Sequence, residues 1–215
     1  DKLFCFFGGT WQGWPERQYL MLKLLDFVDS GIIDFLGKFE SRQTIEDYVE
    51  KATSFVNQAE VEHILSLYDR YVNQDGRLNV STKVAPLKDN DWTGFDRAVA
   101  GNTWAISKNC LAHVVRETRG WDQFCTVTEK SLSTFLYHMI YLPTSGVNNA
   151  EHIEKLGFKL APGLVDYTYT EEFHYVTRIQ KLCDQLEKLK SWSADDLTQY
   201  LSLIHISEPT RLLSI

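Results

Sequence analysis

Apolar runs of strand length alternate with helical periodicities along this chain, and that alternation restricts the fold more than any other feature. Leu3 to Phe7 is a compact apolar run, followed by Gly8-Gly9 and a polar, aromatic loop to Trp14. Pro15 suits a first helical position, where its missing N–H costs nothing, and Glu16 falls in the first turn. Leu20, Leu24, Phe27 and Val28 recur at helical spacing until Asp29-Ser30-Gly31 stops them. Ile32 to Phe39 reads as a second strand. Two amphipathic helices follow, one presenting Ile45, Tyr48, Val49, Ala52, Phe55 and Val56, the other Val61, Ile64, Leu65, Tyr68, Tyr71 and Val72. Asn73-Gln74-Asp75-Gly76 is a turn. Residues 77–107 carry no clear period.

The pattern sharpens again at Leu111 to Val115, a strand ending in Arg116-Glu117-Thr118. The spacing predicts a helix from Thr126, with Leu132, Phe135, Leu136 and Met139 facing inward. Ile140 to Leu142 is a short strand that breaks at Pro143. Asn148-x-x-Glu151 reads as a capping box for a helix ending at Gly157. A last helix is expected from Thr170 to Lys190, with Val176, Ile179, Leu182, Leu186 and Leu189 inward. Strands alternating with helices predict an α/β fold: a Rossmann-like parallel sheet with helices on both faces.

Composition narrows the function. The net charge of −7 argues against non-specific nucleic-acid binding, which needs dense Lys and Arg facing phosphates. No stretch reaches the roughly 18 apolar residues of a membrane span, so no membrane segment is expected. Four dispersed cysteines without a C-x-x-C pair read as reduced thiols, and localisation is expected to be cytoplasmic. The histidines show no zinc spacing, so no metal is expected. His113 and His138 sit among apolar residues and read as core histidines. The dinucleotide, Walker and nucleophile-elbow motifs are all absent.

In open α/β sheets, ligands bind at the carboxyl ends of the strands, where helix N-termini favour anions. Residues 8–17, 116–130 and 143–149 fall there. Thr128-Glu129-Lys130 opens a helix: Lys130 opposes the local dipole unless an anion lies beside it, and Glu129 suits ribose hydroxyls. The alternative is that Thr126-Val127-Thr128-Glu129 is only a capping box. Arg17, in a first helical turn, suits a phosphate. Glu117 closes a strand that points into the crevice. Trp11 and Trp14 suit stacking on a base or sugar, or anchoring in the core.

In their order, these segments resemble the C-terminal, donor-binding half of GT-B glycosyltransferases of the fucosyltransferase-like and exostosin-like kind. The strand ending at Glu117 matches, as do Thr128-Glu129-Lys130, Ile140 to Gly146, Leu156-Gly157-Phe158 and Asp166-Tyr167-Thr168-Tyr169. Leu3 to Leu25 resembles the first strand and arginine-bearing helix of the same domain. Many of those proteins carry more than one Arg or His where this chain has Gly13-Trp14-Pro15-Glu16-Arg17. The resemblance implies a nucleotide-sugar donor, an acceptor hydroxyl on a glycan or other molecule, and no cofactor. It implies Glu129 on the donor ribose, Lys130 and Arg17 on the diphosphate, and Glu117 facing the sugar or nucleotide. No catalytic base is assigned, because related enzymes take it from their N-terminal domain.

Residues 1–200 are therefore expected to be one nucleotide-sugar-binding domain, a fragment lacking its N-terminal acceptor domain and its true termini. Leu201 to Arg211 resemble a translated sequencing-library adapter, so 201–215 is expected to be artefactual. The competing expectations are a non-catalytic nucleotide- or glycan-binding module, and a plain α/β interaction domain.

Overall fold

The computed structural model describes residues 2–7, 15–34, 38–51, 57–79, 110–117, 125–193, 195 and 197. Trp11, Trp14, the Gly8-Gly9 loop, the expected face residues Ala52, Phe55 and Val56, most of 77–107 and the tail 201–215 lie outside them.

The fold is α/β, built on a four-stranded, all-parallel sheet. In chain order the elements are β1 (Lys2–Phe7), α1 (Pro15–Leu25), β2 (Gly31–Asp34), α2 (Arg42–Lys51), α3 (Gln58–Tyr71), β3 (Cys110–Val115), α4 (Glu129–Leu136), β4 (Ile140–Pro143), α5 (Asn149–Lys155), a 3-10 turn (Tyr167–Glu171) and α6 (Tyr175–Lys190). The strand order is β2-β1-β3-β4. The chain steps one way from β1 to β2 and the other way from β3 to β4, so the order reverses between β1 and β3, where such sheets open a crevice.

Strand alternation sends side chains to two different cores. Phe4, Phe6, Ala112, Val114, Ile140 and Leu142 join the larger one, with α1, α2, α3 and α6. Val115 and Tyr141 join the smaller, with Ala150, Ile153 and Leu160. α1 is buried from Arg17 through Leu25 because α2, α3 and α6 cover what the sheet does not. Of its two buried cations, Lys23 pairs with Glu60 at 3.2 Å, and Tyr19 donates to the same carboxylate at 2.8 Å.

Several expectations change. The helix at Thr126 starts later: Thr128 is its cap, accepting from Lys130 N, and Glu129 is its first residue. Its inward face is polar. Ser131 and Thr134 are fully buried, whereas Leu132 is exposed and Leu136 is 65% exposed. Phe135 stacks on Phe158 at 4.5 Å, and Met139 is buried beyond the helix end. His138 is exposed at φ 55, not a core histidine. Asn148 makes no side-chain cap to α5. It stands in left-handed backbone at φ 59, which asparagine tolerates, and its N–H donates to Thr170 O at 2.8 Å. Gly157, at φ 91, ends that helix as expected. The last helix begins at Tyr175, because Asp166 caps a separate 3-10 turn first.

Gly31 opens β2 against Phe4: a β-carbon there would lie 2.4 Å from the ring. Gly31→Ala is expected to cost about 1–3 kcal/mol of stability through overpacking. A urea midpoint equal to the parent's would refute this contact as the reason for glycine.

Candidate functional site

The alternation of β3 continues one step past its end and separates two charges. Arg116 follows Ala112 and Val114 to the α1–α6 side of the sheet, and Glu117 follows Val115 to the α4 side. The turn after β4 fixes this junction. Thr144 N–H donates to Val115 O at 2.9 Å, and Ser145 Oγ accepts from Glu117 N at 3.0 Å and Arg116 Nη1 at 3.4 Å.

Glu117 is 1% exposed. Burying a carboxylate is costly unless hydrogen bonds replace its water. Its Oε1 accepts from Thr128 N at 3.1 Å and from Ser131 Oγ at 2.6 Å, and its Oε2 accepts from Thr128 Oγ1. The carboxylate thus sits on the N-terminus of α4, where the dipole favours it. This differs from the expectation that Glu117 faces a ligand: both of its oxygens are engaged by protein donors.

The network runs further. Ser131 Oγ and Tyr141 OH are 2.8 Å apart, and Tyr141 OH lies 2.8 Å from Asn149 Oδ1. Proton counting gives the chain a direction. Ser131 has one proton, which goes to Glu117, so Tyr141 must give its own to Ser131. Tyr141 is then an acceptor towards Asn149. The amide meets that need when turned to present Nδ2, which otherwise has no partner among the described residues. Burial raises the Tyr141 pKa, keeping it a neutral donor.

Arg17 comes to this junction from the other face, its Nη2 3.5 Å from Glu117 O. Burial, then the neighbouring Arg116, lowers its pKa. Lys130 is half-buried on α4. The structure therefore brings Arg17, Glu117, Thr128 and Lys130 to one end of the sheet. Glu129 begins α4 there, with its side chain outside the described residues.

Sequence reasoning missed three residues of this region. Arg116 lies over the Tyr175 ring at 5.0 Å and Arg178 at 5.6 Å from its centroid. Arg178 is fully buried and donates to Glu172 O at 3.1 Å. A signal was present: Arg178 falls on the apolar stripe with Val176, Ile179 and Leu182, where a charge needs a reason.

A separate cleft of about 470 Å³ lies between α5 and the 3-10 turn, lined by Glu151, Glu154, Asp166 and Glu171 among others. Its carboxylates would repel a diphosphate. Among the described residues no group of His, Cys, Asp or Glu is arranged to hold a metal, and no helix is long and apolar enough to cross a membrane. All four cysteines are free thiols.

Ser131→Ala is expected to lower stability by about 1–3 kcal/mol, because Glu117 loses a charge-assisted bond and Tyr141 its neighbour. Chemical denaturation checks this, and an unchanged midpoint would show that the network is not structural. His113 gives a pH test. It contacts Thr134 Oγ1 at 2.7 Å, and burial, then Lys130, pushes its pKa from 6.5 to about 3. The unfolded ring takes up a proton below its ordinary value while the native ring does not. Stability thus falls as pH drops from 6.5 towards 3, by at most about 1.4 kcal/mol per pH unit from this group. The parent should lose its advantage over His113→Gln across that window. A constant difference between the two would contradict a neutral buried ring.

No protein-family model, curated protein or solved structure matches this chain.

Proposed function

We propose that this chain is the nucleotide-sugar-binding half of a GT-B-type glycosyltransferase, an enzyme that moves a sugar from a nucleotide donor to an acceptor hydroxyl. One observation carries the reading. Thr128-Glu129-Lys130 opens α4 at the carboxyl edge of a parallel sheet, and Arg17 meets the same edge from α1, across the point where strand order reverses. That is where open α/β sheets bind nucleotides. Lys130 and Arg17 supply positive charge at the edge where the leaving diphosphate would lie, and Glu129 supplies acceptors for ribose hydroxyls.

Transfer leaves negative charge on the departing diphosphate as its bond to the sugar breaks. Fixed cations in a water-poor crevice stabilise that charge with little reorganisation. Glu117 contributes by position: it holds the first turn of α4, and with it Glu129 and Lys130, against the end of β3. The acceptor and the catalytic base belong to a part of the enzyme outside this domain.

A second reading has its own support. Thr128 caps α4, and Glu117 engages the donors beside it, so Thr128-Glu129-Lys130 also serves as a helix start in a plain α/β domain. Calorimetric titration with a panel of nucleoside diphosphates separates the two. The donor reading expects binding by the parent chain and at least about a tenfold loss in a Glu129→Ala/Lys130→Ala variant, as removal of a charged contact predicts. A folded parent that binds none of the panel would leave the motif as a cap.

A further inference from the structure

The N-terminus of α4 already holds an anion, the carboxylate of Glu117. Thr128 N, Thr128 Oγ1 and Ser131 Oγ are spent on it, which weakens that helix end as a phosphate cradle. Cationic groups gather on the opposite side of the junction. Arg17 and Arg116 are 7% and 6% exposed, and Arg178 is closed off behind them. They come from three elements: the first turn of α1, the residue just past β3, and the first turn of α6. Tyr175, the first residue of α6, stands between them, with Arg116 and Arg178 over its ring.

The Tyr175 hydroxyl provides the second, independent sign. It is buried and has no hydrogen-bond partner among the described residues. A buried hydroxyl left in that state is costly, and a native structure rarely keeps one without a use. The charges it feels are those of Arg116, Arg178, Glu16 and Arg17, so it lies within the arginine group. A donor without an acceptor, beside guanidinium groups on three elements, fits an oxyanion. Glu16 is the carboxylate in the same surroundings, and the three guanidinium groups outnumber it, so the group keeps a net positive charge.

We propose that Arg17, Arg116 and the Tyr175 hydroxyl, backed by Arg178, form a phosphate-binding pocket on the α1–α6 side of the sheet edge, and that the donor's diphosphate lies there rather than on the N-terminus of α4. The identity of the ligand rests on the donor reading above; the pocket itself does not. Arg116 and Tyr175 touch the phosphate oxygens. Arg178 is a positioning residue, holding the Tyr175 ring while bonded to Glu172 O. Lys130 then faces the nucleotide from the α4 side.

The test titrates the full chain with inorganic pyrophosphate and, separately, with the nucleoside diphosphate panel. Tyr175→Phe removes only the hydroxyl and keeps the ring under both guanidinium groups, so it should fold; near-UV circular dichroism verifies this. Arg116→Gln removes one charge. The expected result is pyrophosphate binding by the parent, weakened about tenfold in Tyr175→Phe and at least as much in Arg116→Gln, the size of a charged hydrogen bond. A folded parent that does not bind pyrophosphate overturns the pocket, as does equal binding by parent and variants. Nucleotide binding lost in Glu129→Ala/Lys130→Ala but intact in Tyr175→Phe and Arg116→Gln overturns the pocket and leaves the donor reading standing. Pyrophosphate binding that depends on Tyr175 and Arg116, with no added affinity from the nucleoside, supports the pocket and removes the donor reading.

Discussion

A carboxylate buried at the end of a strand organises half of this molecule. Glu117 has left water and must recover what it lost from protein donors. Those donors come from the start of α4, which fixes where that helix begins and which way it turns. Its inner face carries hydroxyls: Ser131 donates to the carboxylate, and Thr134 contacts His113 and donates to Lys130 O. The leucines that periodicity would place inside are displaced to the surface. Ser131 passes the demand to Tyr141 on β4, and Tyr141 passes it to Asn149 on α5. One buried charge thereby links four elements, and the apolar cluster of Val115, Tyr141 and Ile153 is small because polar contacts share its space.

The other face is organised differently. α1 is enclosed by the sheet and three helices, and its packing is mainly apolar, with Lys23 paired to Glu60. Its first turn emerges at the carboxyl edge, where Arg17 reaches the backbone of Glu117. The two-residue period of a strand places Arg116 and Glu117 on opposite sides. Charge is thus sorted across the edge of the sheet, with the carboxylate under α4 and the guanidinium groups between α1 and α6. A one-residue shift in β3 would exchange them and leave each charge facing the wrong partners.

This division explains what was legible in the sequence. The strands and α1, α3 and α5 follow from apolar runs, Pro15 and Gly157, which act locally, although β2 covers only Gly31–Asp34 and Phe39 lies outside it. The parallel sheet follows from their alternation. The face of α4 was misread because periodicity assumes that apolar residues go inside, and Glu117, twelve residues earlier than Glu129, reverses the preference from a distance. Asn148 matches a capping pattern, but its N–H bonds Thr170 O, a residue of the distant 3-10 turn, which local spacing does not reveal. At the site, Arg17, Thr128 and Lys130 were legible as residue types at helix starts. Tyr175 and Arg116 were not, since only the packing of α6 against the end of β3 brings them together.

A helix N-terminus attracts anions through unsatisfied N–H groups and the dipole, and both are finite. When the protein's own carboxylate occupies that end, a ligand phosphate arriving there meets donors in use and a negative neighbour. Lys130, the second residue of α4, adds a positive charge beside that end. The guanidinium side has the opposite balance. Its groups are desolvated by protein, so their attraction for a phosphate is screened less than it would be in water. Arg17 and Arg116 also repel each other, and an anion between them relieves that repulsion. In the proposed pocket, affinity for a phosphate would be set by how closely packing holds the arginines together as much as by the motif at the start of α4.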